Sequence, residues 1–131
     1  MPITVTVDHA RERVTGTASG TVTPDDIGSY IAERIRQNAY TYSQLIDFRN
    51  ATIDLAPGEN LLSVAMEKRR EAKTESIPAR TAIVATPGSA TYGFARQMAL
   101  QLGFGKAPVE VFAKLDEAEA WLNAAPASQS V

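Results

Sequence analysis

The chain has 131 residues, 13 Lys and Arg against 15 Asp and Glu, a net charge of -2 and no cysteine. A length of this order suits one domain that buries roughly two thirds of its unfolded surface and needs no staple; the missing cysteines exclude disulfides, thiolate nucleophiles and thiolate metal sites. The slightly acidic balance gives no bulk attraction to nucleic acid or to acidic membranes.

The opening MPITVTVD alternates, Ile3, Val5 and Val7 against Thr4, Thr6 and Asp8, the period of a half-buried strand. It lacks the basic and apolar regions of a signal peptide, and no apolar run reaches membrane-spanning length, so the expectation is a cytoplasmic protein with no membrane insertion. Asp8, His9 and Ala10 read as a turn, and Arg13 to Val22, rich in Thr and carrying Gly16 and Gly20, reads as the return strand of a hairpin at the edge of a sheet. The period then changes. Thr23 is a good N-cap, Pro24 suits the first helical position, and Asp25 and Asp26 complement the helix dipole. Ile27, Ile31 and Ile35, with Tyr30 beside them, form one apolar stripe, and Arg34 and Arg36 suit the negative pole.

The stretch Tyr42 to Asp54, YSQLIDFRNATID, organises the rest. Leu45 and Ile46 are consecutive apolar residues between Tyr42 and Phe48, a run apolar on both faces, which predicts a central strand covered by helices on either side. Asp47 and Arg49 share one face where this strand is expected to leave the sheet, and Asn50 is read as the start of the exit loop. The Pro57-Gly58 pair punctuates the chain ahead of a helix striped by Leu61, Leu62, Ala65 and Met66, which fades into the charged run Glu67 to Lys73.

Pro78 breaks the chain before an apolar strand, Thr81 to Ala85, and the turn Thr86, Pro87, Gly88, Ser89. A helix follows from about Ala90 to Leu102, with Tyr92, Ala95, Met98, Ala99 and Leu102 expected inward and Gly103-Phe104 as a Schellman stop. Pro108 to Phe112 reads as a last strand, and Asp116 as the cap of a final helix that docks Ala118, Trp121 and Leu122. Residues 124–131 read as a polar, disordered tail behind a single domain over residues 1–123. The predicted order is β-β-α-β-α-β-α-β-α: an α/β fold with a mixed sheet of about five strands, an N-terminal hairpin, later strands made parallel by right-handed crossovers, and about four covering helices.

This order and several segments resemble the STAS-like fold, and specifically the uncharacterised bacterial proteins grouped as SpoIIAA-like. The segments are GTVTPDDIGSYIAERI (20–35), QLIDFRN (44–50), RTAIVA (80–85), TYGFARQMALQL (91–102) and, most specific, VEVFAKLDEAEAWL (109–122). In STAS domains of the anti-sigma-factor antagonist type a phosphorylatable serine directly follows an aspartate at the start of the helix after the central strand. Here Asp54 takes the place of that aspartate and Leu55, Ala56, Pro57 and Gly58 follow, so the acceptor is missing; Ser63 is read as too far along the helix to replace it. The resemblance implies a small non-catalytic module without a cofactor, which forms a homodimer or binds a regulatory protein partner. It is related in fold to domains that bind partner proteins or small apolar ligands.

Each candidate site has a structural alternative. Asp47 with Arg49 suits a polar ligand at the carboxyl edge of the sheet, but a carboxylate placed there needs hydrogen bonds simply to be tolerated, so an ion pair is the preferred reading. Asp54 adds a second acid, and an enzyme using Asp47, Arg49 and Asp54 is the most distant alternative, with neither a nearby histidine nor a phosphate loop. Ser89 opens a helix whose free N–H groups suit an anion, yet it is also an ordinary N-cap, the preferred reading. Gly93 is read as a point of close packing. His9, the only histidine, reads as a surface turn rather than a metal ligand. Lys68, Arg69, Arg70 and Lys73, interleaved with Glu67, Glu71 and Glu75, read as a salt-laced helix face and not a nucleic-acid patch. Tyr40, Tyr42, Tyr92, Phe94 and Met98 could line an apolar pocket between the central strand and the third helix, with ordinary core as the preferred reading and a dimer patch as the alternative if they are exposed.

Overall fold

The computed structural model describes residues 2–72, 79–102 and 108–124. In chain order the elements are β1 (Ile3–Asp8), β2 (Arg13–Val22), α1 (Pro24–Arg36), β3 (Ser43–Ile53), α2 (Leu61–Glu71), β4 (Thr81–Val84), α3 (Ala90–Leu102), β5 (Val109–Phe112) and α4 (Leu115–Asn123). The five strands lie in the order β1-β2-β3-β4-β5, with β1 antiparallel to β2 and every later pair parallel. A sheet that always adds its next strand on the same side, through right-handed crossovers, sends every crossover helix to one face. Buried residues of α1, α2 and α3 accordingly share one core cluster with Val14, Phe48 and Ile53. Only α4, which follows the last strand, is free to take the other face, where Ala118 and Leu122 pack on Leu45, Ala82 and Val84.

The central position of β3 is as the sequence predicts. Leu45 is 2% exposed beneath α4, Phe48 and Ile53 are buried beneath the helical layer, and Ile46 packs half-buried against the same layer. Its extent is not as predicted. β3 pairs with β4 only as far as Asp47↔Val84, but it continues beside β2 to Ile53↔Val22, so Asn50 lies within the strand and not in an exit loop. Between Thr17↔Asp47 and Ser19↔Asn50, β3 advances by one residue more than β2; this is a β-bulge, which bends the strand and lets it outlast β4. On the α4 side the outer two strands are uncovered, and Thr4, Thr6, Thr17, Ser19 and Thr21 face solvent.

The helix starts follow local chemistry. Thr23 and Asp26 form a capping box, Thr23 Oγ1 accepting from Asp26 N at 3.2 Å and Asp26 Oδ2 from Thr23 N at 2.8 Å. Asn60 caps α2, its Oδ1 accepting from Ser63 N at 2.8 Å. The final helix departs from expectation: it begins at Leu115, its N-cap Lys114 makes no side-chain cap, and Asp116 already sits in the first turn, accepting from Glu117 N at 2.9 Å.

Two helical faces are rotated from the predicted ones. In α2 the buried residues are Leu61 and Val64, Leu62 and Ala65 are half-buried, and Met66 is 50% exposed. The inward stripe runs 61, 64, 68, with the Lys68 stem lying against Gly28 of α1, where a Cβ would stand 3.0 Å from Lys68 Cδ. Aliphatic Lys carbon thus takes the place that the sequence pattern assigned to Met66. In α3, Thr91, Ala95 and Ala99 are buried while Tyr92, Phe94 and Met98 are half-buried. The Leu102 side chain, the Gly103-Phe104 stop, Pro78, Lys73, Glu75 and the tail beyond Ala124 lie outside the described residues.

Candidate functional site

The bulge in β3 shapes the first predicted site. Asp47 Oδ1 accepts from Arg49 N and from Arg49 Nε, both at 3.0 Å, and Oδ2 accepts from Arg49 Nη2 at 2.8 Å. Both carboxylate oxygens are therefore held by one neighbour. Hydrogen bonding to Arg49 holds the Asp47 carboxyl below the ordinary carboxylate range, partly opposed by burial. A carboxylate gripped in this way is a poor proton acceptor, which supports the ion-pair reading.

Asp54 does not join it. Asp54 is exposed and its backbone N donates to Val22 O at 2.8 Å, one step beyond the end of β3. Seven residues of mostly extended chain set it on the order of 20 Å from Asp47, so Asp47, Arg49 and Asp54 form no common site. Ser89 is the N-cap of α3: its Oγ accepts from Tyr92 N at 3.1 Å and donates to Thr86 O at 2.6 Å. Gly88, at φ +87, makes the turn that delivers it. Tyr92 is half-buried, and Phe94 packs with Met98 against the main cluster. Buried Thr91 reaches across to β3, donating to Ala51 O at 3.3 Å. Gly93, which the sequence marks as a point of close packing, would meet nothing within 4 Å among the described residues if it carried a Cβ.

The aromatic set proposed for an apolar pocket is divided between the two ends of the sheet. Tyr42 lies just before β3 begins, where its hydroxyl bonds His9 Nδ1 at 2.8 Å with the rings edge to face. Tyr92 lies in the first turn of α3, beyond the carboxyl end of β4. Parallel strands place these two positions at opposite ends. Ser63 is also placed differently from the sequence reading: because α2 starts only at Leu61, it stands exposed in the first turn, its Oγ donating to Asn60 O at 2.9 Å.

Sequence reasoning missed a buried cation. Arg34, assigned to the helix dipole, is 2% exposed. Its guanidinium carbon lies 4.4 Å from the Tyr40 ring centroid and 5.3 Å from that of Tyr30, and its Nη2 donates to Tyr40 O at 2.5 Å. Tyr30 donates to Gln44 Oε1 at 2.7 Å, and Gln44 Nε2 to Thr81 Oγ1 at 2.9 Å. Burial pushes the Tyr30 hydroxyl up to about 12 and lowers the Arg34 pKa. The available signal was the four-residue spacing of Tyr30 and Arg34, which places both on one helix face.

Within the basic run Lys68 is laced to acids, its Nζ reaching Asp25 on α1 at 3.2 Å and Glu71 at 3.4 Å. A second basic group, also missed, lies at the amino end of the strands. There Arg11 and Arg13 converge on Asn123, and Arg80 stacks on Trp121 with its guanidinium carbon 4.5 Å from the ring centroid. Topology carried the hint, because in a parallel sheet with helical crossovers the strand starts and the helix ends collect at the same end. Among the described residues, no group of three or more His, Asp or Glu side chains could hold a metal ion, and no helix is long and apolar enough to cross a membrane.

No family model and no curated protein matches the chain. Solved structures do. The chain is similar to an uncharacterized protein of the DUF3478 family with a SpoIIAA-like fold from Shewanella loihica PV-4, at 17% identity over 92% of this chain and 93% of that one, with a TM-score of 0.60. Weaker likenesses are to the anti-sigma factor antagonist SpoIIAA in its unphosphorylated form (19% identity, 92% and 97% covered, TM-score 0.49) and to the Bacillus cell fate determinant SpoIIAA in its phosphorylated form (15%, 92% and 98%, 0.46). With five strands in mixed pairing and four helices placed as described, the chain has the SpoIIAA-like α/β fold.

Proposed function

We propose that residues 1–123 form a single STAS-like binding domain, non-catalytic and cytoplasmic, that works by docking a protein, with a second copy of itself as the first partner to test. The observation that carries this reading is the exposure of two large apolar side chains on neighbouring helices, Met66 on α2 at 50% and Leu100 on α3 at 72%. Both belong to helices of the same layer, α2 and α3, which are in contact, and exposed large apolar side chains mark interaction sites when a partner removes them from water. The Asp47 carboxylate, already bound by Arg49, supports a structural role over a catalytic one.

Partner switching through a phosphoserine is not part of this proposal. Leu55 follows Asp54 where the STAS resemblance calls for serine, and the Ser63 hydroxyl is engaged in the α2 capping box. The test is light scattering on the purified chain across a concentration series, beside a Met66→Lys/Leu100→Lys double variant. The reading expects a mass that rises toward a dimer in the wild type and stays monomeric in the variant, with both unfolding at similar temperatures. A wild type that remains monomeric throughout would refute self-association, and an equally dimeric double variant would refute the α2–α3 surface.

A further inference from the structure

At the amino end of the parallel strands a cleft of about 360 Å³ opens between the β1–β2 turn, the entry to β3 and the last residue of α4; its walls include Arg11, Arg13, Tyr42 and Asn123. Arg13 begins β2 and pairs with Ser43 at the start of β3, so the ladder delivers its side chain to this end. Helix α4 ends here at Asn123.

The polar groups in this cleft are poorly matched to one another. Arg11 Nη2 and Arg13 Nη2 both donate to the single oxygen Asn123 Oδ1, at 3.0 and 2.9 Å. Two cations thus converge on one neutral acceptor, and neither forms an ion pair among the described residues. Arg13 Nε is buried and has no hydrogen-bond partner among the described residues, and a buried donor of this kind gains from an acceptor. The nearby acids do not resolve this. Asp8 Oδ1 takes the backbone N of Arg11 at 3.1 Å and not its guanidinium; Glu12 lines the cleft, and Glu119 and Asp8 act on Arg13 only through space. Burial first, and then the charge of Arg11, lower the Arg13 pKa against the opposing pull of Glu119 and Asp8.

A guanidinium pair of this kind fits a planar or tetrahedral anion that offers several oxygens, each accepting charge-assisted hydrogen bonds. The volume falls within the range of small-molecule sites, large enough for a metabolite that carries the anionic group. We propose that this cleft binds the oxyanion group of a small molecule, a carboxylate or a phosphate, through the Arg11 and Arg13 guanidiniums. None of its lining residues belongs to α2 or α3, and the proposal does not depend on that surface.

The experiment follows the arginine Nε–H and backbone amide signals of the full chain by NMR during separate titrations with inorganic phosphate and with succinate, at constant ionic strength. The proposal expects a saturable shift of Arg13 Nε–H and of the Asn123 amide with at least one probe below about 20 mM. A response to phosphate alone assigns a phosphate ligand, and a response to succinate alone a carboxylate. Arg13→Gln should weaken the response at least about tenfold. Asn123→Asp, which puts a carboxylate between the two guanidiniums, should abolish the response and raise Tm, and it keeps the test decisive if Arg13→Gln fails to fold. No saturable shift with either probe, or an unchanged response in Asn123→Asp, would overturn the proposal.

Discussion

Two substitutions of identical chemistry, Gly16→Ala and Gly93→Ala, are expected to move stability in opposite directions. At Gly16 in β2 an added Cβ would stand 2.9 Å from Tyr30 Cε1 and 3.4 Å from both Tyr30 Cζ and Ile3 Cγ2. The Tyr30 ring cannot easily give way, because it is 4% exposed and its hydroxyl is bonded to Gln44 at 2.7 Å. Overpacking of this kind costs about 1–3 kcal/mol, and a weakened buried hydrogen bond adds about 0.5–1.5 kcal/mol. The lower backbone freedom of alanine offsets about 0.5–1 kcal/mol. The net loss is roughly 0.5–4 kcal/mol, a fall in Tm of about 2–14 °C for a chain of this size. At Gly93, near the start of α3, nothing lies within 4 Å of the added methyl among the described residues. Only the backbone effect operates there, and Tm should rise by about 2–4 °C. Thermal unfolding by circular dichroism, checked by urea melts, reads both. A Gly16→Ala protein as stable as the wild type would refute the close approach of α1 to β2, and a destabilised Gly93→Ala would refute the open surface of α3.

Asp47→Asn should fold normally and lower Tm by about 1–2 °C near neutral pH, since a partly exposed ion pair is screened. The folded-state pKa of Asp47 lies below its ordinary 3.8, so its contribution is present above about pH 4 and is lost as pH falls through the depressed value. The difference between wild type and variant should therefore be flat from neutral pH to about pH 5 and vanish in stronger acid; a difference that grew on acidification would contradict the pairing with Arg49. Thr23→Ala removes the acceptor of the α1 capping box and should cost about 0.5–2 kcal/mol in urea unfolding, whereas a neutral outcome would show that Asp26 alone sustains the helix start. Leu45→Ala, at a site 2% exposed beneath α4, should cost about 2.7–5 kcal/mol. A loss below about 1 kcal/mol would place that residue outside a packed core.

Most of the backbone order was legible in the sequence because local signals and burial agreed. Alternation in ITVTVD, the Thr23-Pro24-Asp25-Asp26 start and the doubly apolar Leu45-Ile46 pair each state a period or a cap that neighbouring residues determine. The β1-β2 hairpin and the parallel later strands followed from connection lengths and crossover handedness. The candidate site was legible in one part only: Asp47 and Arg49 do pair, as two residues on one strand face can.

What failed depended on partners distant in sequence. Asn50 reads as loop in the sequence because its ladder is supplied by Ser19, across a bulge that periodicity cannot register. The apolar stripe of α2 points to Met66 because nothing in the sequence shows that the Lys68 stem lies on Gly28. The sequence pairs Arg34 with the negative pole of the helix dipole, and only the enclosing Tyr30 and Tyr40 rings make it an interior cation. The elements, their order and the burial of the middle strand follow from the spacing of residues along the chain. Which helix faces meet the sheet, how far β3 runs, and the meeting of Arg11, Arg13 and Asn123 at one end emerge only in three dimensions, because each is a contact between segments whose mutual register no local pattern encodes.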